Sequence, residues 1–412
     1  MEIDYGVSRS RSSSCADATK IASFVTLCVF TFIAFVLGAY SASAVRAVKK
    51  TIDDNPSLTL NARKKGKQSV SLYRGEGSWH DQKPLAKATS DLQAVTGLHG
   101  IIYLFGGFNE DNVTLNTITA YDVVRQTYTA KTNLTSPRSQ FGAGAFTDAT
   151  SGAVTKIIVA GGLSDVTAYP VPALLTSEIY TIASNSVAAG PNLSEQHLDG
   201  CMASTGDAVY MIGGWKDNYG TPSKTVEKLT RSGSSWTTVA SLPEARGDCS
   251  AAALDGKIYV VAGYYSPEWD ASKGFKNTAF MYDPAKDVWT TVAPLSYARG
   301  DLQLVATDNS IVAIGGETYF SRNGGHADKI ATHYVEEYLP DQDAWESRAL
   351  LGTGRFRFAA TSSHWGIHVF GGSEVCAEPA SSSDFTSCYT YQTDSHEVYF
   401  ELEHPDIWVN YN

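Results

Sequence analysis

The chain has 412 residues, with 35 glycines, 11% aromatic and only 18% charged residues, a mixture that suits a turn-rich β protein better than a helical one. Its formal net charge of −11 is unevenly spread: residues 1–67 carry +5 and the remainder −16. An acidic body of that size repels phosphate backbones and excludes nucleic acid as a natural partner.

Residues 1–20 read as a polar N-terminal tail. Between Lys20 and Arg46 lies an uncharged run of 25 residues, IASFVTLCVFTFIAFVLGAYSASAV. A helix needs about 20 residues to cross the hydrocarbon core, so 21–45 is expected to be a transmembrane signal-anchor helix. A cleaved signal peptide is the competing reading, with Ala42-Ser43-Ala44 as its small-residue cleavage site. Arg9, Arg11 and Lys20 stand on one side of the run and Arg46, Lys49 and Lys50 on the other, so charge asymmetry does not set the orientation. Residues 46–67 read as a basic, solvated stalk.

From there on the sequence repeats. Six segments match one another: IIYLFGG, KIIVAGG, AVYMIGG, KIYVVAG, SIVAIGG and GIHVFGG, ending at Gly107, Gly162, Gly214, Gly263, Gly316 and Gly372. A second landmark keeps the same period. An aromatic or apolar residue stands twelve positions before a polar one in Trp79/Asp91, Tyr128/Gln140, Val187/Asp199, Trp236/Asp248, Trp289/Asp301 and Trp345/Arg357. A repeat near 50 residues marks a modular array. Alternating apolar residues and turn signals give four short antiparallel strands per unit, A to D. In the fourth unit, A lies near Asp248–Leu254, B at Lys257–Val261, C at Thr278–Tyr282, and D begins at Trp289. Such a unit cannot bury both faces alone; radial packing of six against one another is the propeller solution.

Strands ending in Gly213-Gly214, a strand end at Tyr282-Asp283 and Trp289 seven residues on carry a resemblance to the kelch-repeat family. The resemblance implies an all-β, six-bladed kelch-type β-propeller of four-stranded antiparallel blades over residues 68–402. Residues 403–412 are then a C-terminal tail or the closing strand. Two departures are Ala262-Gly263 for Gly-Gly in unit 4 and Val187 where Trp is usual in unit 2. Closure is expected from the N-terminal strand at Trp79, which obeys the twelve-residue rule.

The B–C loops are long in every unit, so one face gathers the candidate binding residues. At the start of strand A the aligned positions read Asp91, Gln140, Asp199, Asp248, Asp301 and Arg357. Two residues earlier they read Thr89, Arg138, His197, Arg246, Arg299 and Arg355. The resemblance implies that the Arg layer contacts acidic ligands; the alternative is that Arg and Asp pair between neighbouring blades. Aromatic residues in the B–C loops, namely Phe108, Trp215, Tyr219, Tyr264, Tyr265, Trp269, Tyr319 and Phe320, suit sugar rings or peptide side chains. The expected role is binding of a protein, peptide or glycan. A carbohydrate-active enzyme (epimerase, mutarotase or oxidase) using His197, Asp248 or Arg299 is a second reading, and a cytosol-facing adaptor a third. No catalytic motif, cofactor or metal-ligand spacing stands out.

Three sequons, at Asn112, Asn133 and Asn192, suit a lumenal or extracellular propeller. Cys376 and Cys388 bracket a loop and are expected to form a disulfide. Cys201 and Cys249, just after the ring aspartates of adjacent units, could bridge but read more simply as small buried thiols. Arg246-Gly-Asp248 and Arg299-Gly-Asp301 spell an adhesion tripeptide twice, which the repeat itself accounts for.

Overall fold

The computed structural model describes residues 77–216, 219–265, 274–321, 327–375 and 390–400, all within the compact unit Arg74–Asn412. These residues form six four-stranded antiparallel sheets. Strand A of each blade, innermost, is Gln93–Thr96, Gly142–Thr147, Cys201–Ser204, Ser250–Leu254, Gln303–Ala306 and Ala359–Ser363 in blades 1 to 6. Blade 4 shows the plan: Ser250–Leu254 pairs with Lys257–Val261, that strand with Ala279–Asp283, and the last with Val288–Val292. Several B–C loops add ribbons of their own, such as Trp215–Lys216 on Thr221–Pro222 and Glu317–Ser321 on Ala327–Ala331.

The sixth blade is completed from the other end of the chain. Ser78–Asp81 lies antiparallel to His396–Phe400, with Trp79 opposite Tyr399, and so supplies strand D. The N-terminal closure expected from the spacing is the one observed. The anchor at 21–45, the stalk and residues 403–412 lie outside the described residues. Among the described residues, no helix is long and apolar enough to cross a membrane.

The core is a set of apolar layers between adjacent sheets rather than one central mass. Between blades 3 and 4, Tyr210, Ile212 and Val226 meet Ile258, Val260 and Tyr282. The repeated tryptophans tie these layers at their outer edge. Each donates its indole N–H to a carbonyl just after strand D of the preceding blade: Trp289 to Ala240 (2.8 Å), Trp345 to Ala293 (2.7 Å), Trp236 to Pro191 (2.9 Å) and Trp79 to Ala349 (2.9 Å). Tyr128 does the same with its hydroxyl toward Lys83. A partly or wholly buried indole thus fills the apolar gap and satisfies its one donor. Val187 breaks the pattern in blade 2. Unit 4 keeps its turn despite the departure from Gly-Gly, with Ala262 held at φ 59°.

Cys201 and Cys249 form a disulfide, with Cα atoms 5.7 Å apart. This corrects the reading of the two as separate thiols. Adjacent A strands converge on the axis, where the Asp248 N–H donates to the Asp199 carbonyl at 3.0 Å. Cys201 stands two residues beyond Asp199 and Cys249 one beyond Asp248, where the strands are still close enough to be bridged. Cys376 and Cys388 lie outside the described residues.

Candidate functional site

Arg138, Arg246, Arg299, Arg355 and His197 are all 0% exposed. None is presented to a ligand, and none pairs with an Asp of the neighbouring blade. Each turns from the start of strand A onto the base of its own B–C loop. The second residue of strand C is Glu178, Glu227, Glu336 and Glu397 in blades 2, 3, 5 and 6, and these carboxylates are the partners. Four of these side chains bond the carbonyl of the first residue of the Gly-Gly turn: Arg138 to Gly161 (3.0 Å), Arg246 to Ala262 (2.7 Å), Arg355 to Gly371 (3.1 Å) and His197 to Gly213, while Arg299 reaches the Ala313 carbonyl at 3.4 Å. The Glu also accepts backbone N–H groups from the incoming D–A connection: Thr135 and Ser136 for Glu178, Ser194 for Glu227, Ser296 for Glu336, Gly352 for Glu397.

The two blades without the Glu show what it is for. In blade 4 the strand C position is Phe280, and Arg246 lies over its ring at 4.7 Å while reaching half-exposed Glu244. Burial pulls Arg246 down to about 10, opposed by Glu244. In blade 1 both positions are threonine, Thr89 and Thr119. Charge is buried only where countercharge or an aromatic face is available. The Arg layer ties the entry of strand A to the B–C turn and strand C of its own blade. The candidate acid–base set of the enzyme reading loses His197 and Arg299 for the same reason.

The ring two residues later does line the axis. Asp91, Gln140, Asp199, Asp248, Asp301 and Arg357 all adopt left-handed backbone, φ between 47° and 54°. Their amides link around the axis: Asp91 donates to Arg357, Asp199 to Gln140, Asp248 to Asp199, Asp301 to Asp248 and Arg357 to Asp301, at 2.7–3.2 Å. Aspartate tolerates this conformation better than most residues. Inside the ring lies a cavity of about 40 Å³, lined by these six side chains with Leu92, Phe141, Leu302 and Phe358. Arg357 donates to Asp301 at 2.9 Å and stands 4.0 Å from Asp91 and 3.9 Å from Asp199. One guanidinium thus serves three carboxyl groups, and Asp248 lines the same cavity. Burial pushes Asp248 up to about 8 and Asp91 up to about 7; nearby Asp301 adds to both, while Arg357 opposes. Asp199 is raised by the same causes.

Over this well runs an arc of aromatic rings from the B–C loops. Tyr219, Trp215, Tyr264, Phe275 and Tyr319 follow one another at centroid distances of 6.3, 6.2, 5.1 and 5.1 Å. Trp215 donates to Asp248 at 2.9 Å, and the Tyr219 hydroxyl to Gln140. The arc explains the repeated Arg-Gly-Asp. A Cβ on Gly247 would fall 1.8 Å from the Trp215 indole nitrogen, and one on Gly300 would fall 2.9 Å from Phe275. The glycines make room for rings of the preceding blade, and their arginines are buried. Sequence reading found Trp215, Tyr219, Tyr264 and Tyr319 but passed over Phe275 and the four Glu partners. Glu at one repeat position in four of six units was the available signal. Trp269 lies outside the described residues. Asn112, Asn133 and Asn192 are exposed, while Thr135 and Ser194 serve the buried Glu beneath them.

Residues 245–296, which hold blade 4, match the kelch motif. Rat Kelch-like protein 36 is 28% identical over 159 residues, 39% of this chain and 24% of the relative. Human Kelch-like protein 25 is 28% identical over 136 residues, 33% of this chain and 22% of the relative. The matched region spans about a quarter of the length of these relatives. Among solved structures, "Structure of YjhT" superposes with a TM-score of 0.60 at 14% identity, covering 76% of this chain and 95% of that one. Motif, relatives and six blades together support a kelch-type propeller.

Proposed function

We propose that this chain is a membrane-tethered kelch propeller that captures a protein ligand on its B–C loop face in an oxidising compartment. The aromatic arc carries the reading. Tyr219, Tyr264, Phe275 and Tyr319 are each partly exposed and border an acidic well, an arrangement that buries large rigid rings at low entropic cost. The kelch-like relatives favour a protein over a glycan. The apolar run at 21–45, three exposed sequons and the Cys201–Cys249 disulfide support the tether and the compartment.

Two measurements test this. The propeller on its membrane should show faster gel mobility after N-glycosidase treatment; an unshifted band with protease access from the cytosolic side would defeat the placement. For binding, a partner recovered with the wild-type chain should be lost with Tyr264→Ala plus Tyr319→Ala at unchanged melting temperature. It should survive Val124→Glu, a change at an exposed residue in a C–D turn on the opposite face. Equal recovery by all three proteins would remove the arc from the site.

A further inference from the structure

The axial well gathers four aspartate carboxyl groups around one guanidinium. Asp199, Asp248 and Asp301 each bring a carboxylate oxygen to the same point, and these atoms lie within 4.8 Å of one another. Asp199 supplies a second observation. Its side chain is 9% exposed, and its Oδ2 is buried with no hydrogen-bond partner among the described residues. The nearest cationic atom, Arg357 Nη2, stands 3.9 Å away, beyond hydrogen-bond reach. Arg357 spends its short contact on Asp301 Oδ2, and Trp215 occupies Asp248 Oδ1. A buried carboxylate oxygen facing two other carboxylates is costly unless something positive meets it.

We propose that the axis of this propeller is a calcium site, with Asp199, Asp248 and Asp301 as its protein ligands. The donors are all oxygen, which selects hard cations and disfavours zinc or copper. Two oxygens on opposite sides of Ca²⁺ are about 4.6–5.2 Å apart at its usual bond lengths, against about 4.2 Å for Mg²⁺. Oxygens that all lie within 4.8 Å of one another can share one ion of that size, and Ca²⁺ accepts irregular oxygen geometry where Mg²⁺ demands a near-ideal octahedron. A water needs roughly 10–15 Å³, so the cavity of about 40 Å³ holds one ion and a few waters. A charge of +2 beside Arg357 offsets three of the four aspartate charges. Each ligand comes from a different blade, 3, 4 or 5, so an ion here would join three A strands beneath the aromatic arc. The proposal stands independently of which ligand the loop face takes.

The test uses the full chain after chelator treatment and desalting. Calorimetric titration with CaCl₂ should give one site per chain, and millimolar Ca²⁺ should raise the melting temperature more than Mg²⁺ or NaCl at matched ionic strength. Tb³⁺ should show emission sensitised by Trp215, whose indole bonds a ligand carboxylate. Asp199→Asn, at an oxygen that hydrogen-bonds nothing, should fold and bind at least tenfold more weakly, with the emission lost; Asp248→Asn, which keeps an acceptor for Trp215, provides a second variant. Absence of saturable Ca²⁺ binding overturns the site. Binding and emission undiminished in both variants overturn it equally, because the ion would then sit on the acidic exterior.

Discussion

If the Arg layer locks the blades, cutting one pair should unfold the protein rather than disarm it. Arg138 is the best-defined case. Its Nε and Nη2 donate to Glu178 at 3.3 and 3.1 Å, its Nη1 to Gly161 and Thr176 carbonyls at 3.0 and 2.9 Å, and its Nη2 to the Thr176 hydroxyl at 2.8 Å. Glu178 in turn holds the Thr135 and Ser136 amides. Glu178→Ala strands a wholly buried guanidinium and two amides, so the cost is set by desolvation, not by the pair's own attraction. Removing one partner of a buried pair costs about 3–5 kcal/mol, a large part of a typical stability of about 5–15 kcal/mol. Urea denaturation of wild type, Glu178→Ala, Arg138→Met and the double variant gives the coupling directly. The double variant should recover part of either single loss, since it leaves no orphaned charge. A loss below about 1 kcal/mol for Glu178→Ala, with ligand capture abolished in a stable Arg138→Met, would refute the locking role and return Arg138 to the binding surface.

Other consequences follow from the same packing. His368 and His396 are buried side by side at 3.0 Å, and burial holds them down at about 4 and about 3. Both titrate near 6.5 when unfolded, so the stability they permit is full above 6.5 and is lost as pH falls toward 4. His368 alone accounts for on the order of 3 kcal/mol; His368→Gln should flatten that limb of a stability–pH curve, and an unchanged limb would contradict the assignment. Cys201→Ser with Cys249→Ser opens a loop with a sequence separation of 48, a chain-entropy loss of up to about 4 kcal/mol; a peptide map without reduction should show the bridge. Ala262→Gly relieves a left-handed alanine in the fourth Gly-Gly turn and should raise stability by about 1 kcal/mol or less. A loss on thermal unfolding would mean that the turn is not strained.

The propeller was legible because its signals are periodic. The last glycine after each B strand and the twelve-residue interval to the axial ring each recur six times, the aromatic that opens the interval recurs in five units, and each has one mechanical reason. The left-handed ring residues and the indole-to-carbonyl ties explain why the interval is constant: both ends are fixed to neighbouring blades. Even closure followed, since Trp79 needed an Asp91 twelve residues on. What the sequence concealed was direction. Arg138 and Gln140 differ by two positions and so point alike from a regular strand, yet they sit ahead of strand A, where left-handed backbone at Gln140 breaks the alternation. One side chain turns outward under the loop and the other lines the axis.

The roles of the two layers were therefore separable only through a second repeat column. Arg or His before strand A coincides with Glu in strand C in blades 2, 3, 5 and 6; Thr coincides with Thr in blade 1, and Arg with Phe in blade 4. A ligand-reading arginine has no reason to match a residue some forty positions away in its own blade, whereas a buried one must. The axial ring follows no such rule. Four of its six residues are aspartate, one is arginine, and no partner column varies with them. Carboxyl groups crowd at the axis without a matching column, in contrast to the buried arginines, and that asymmetry is the reason for proposing a bound cation there.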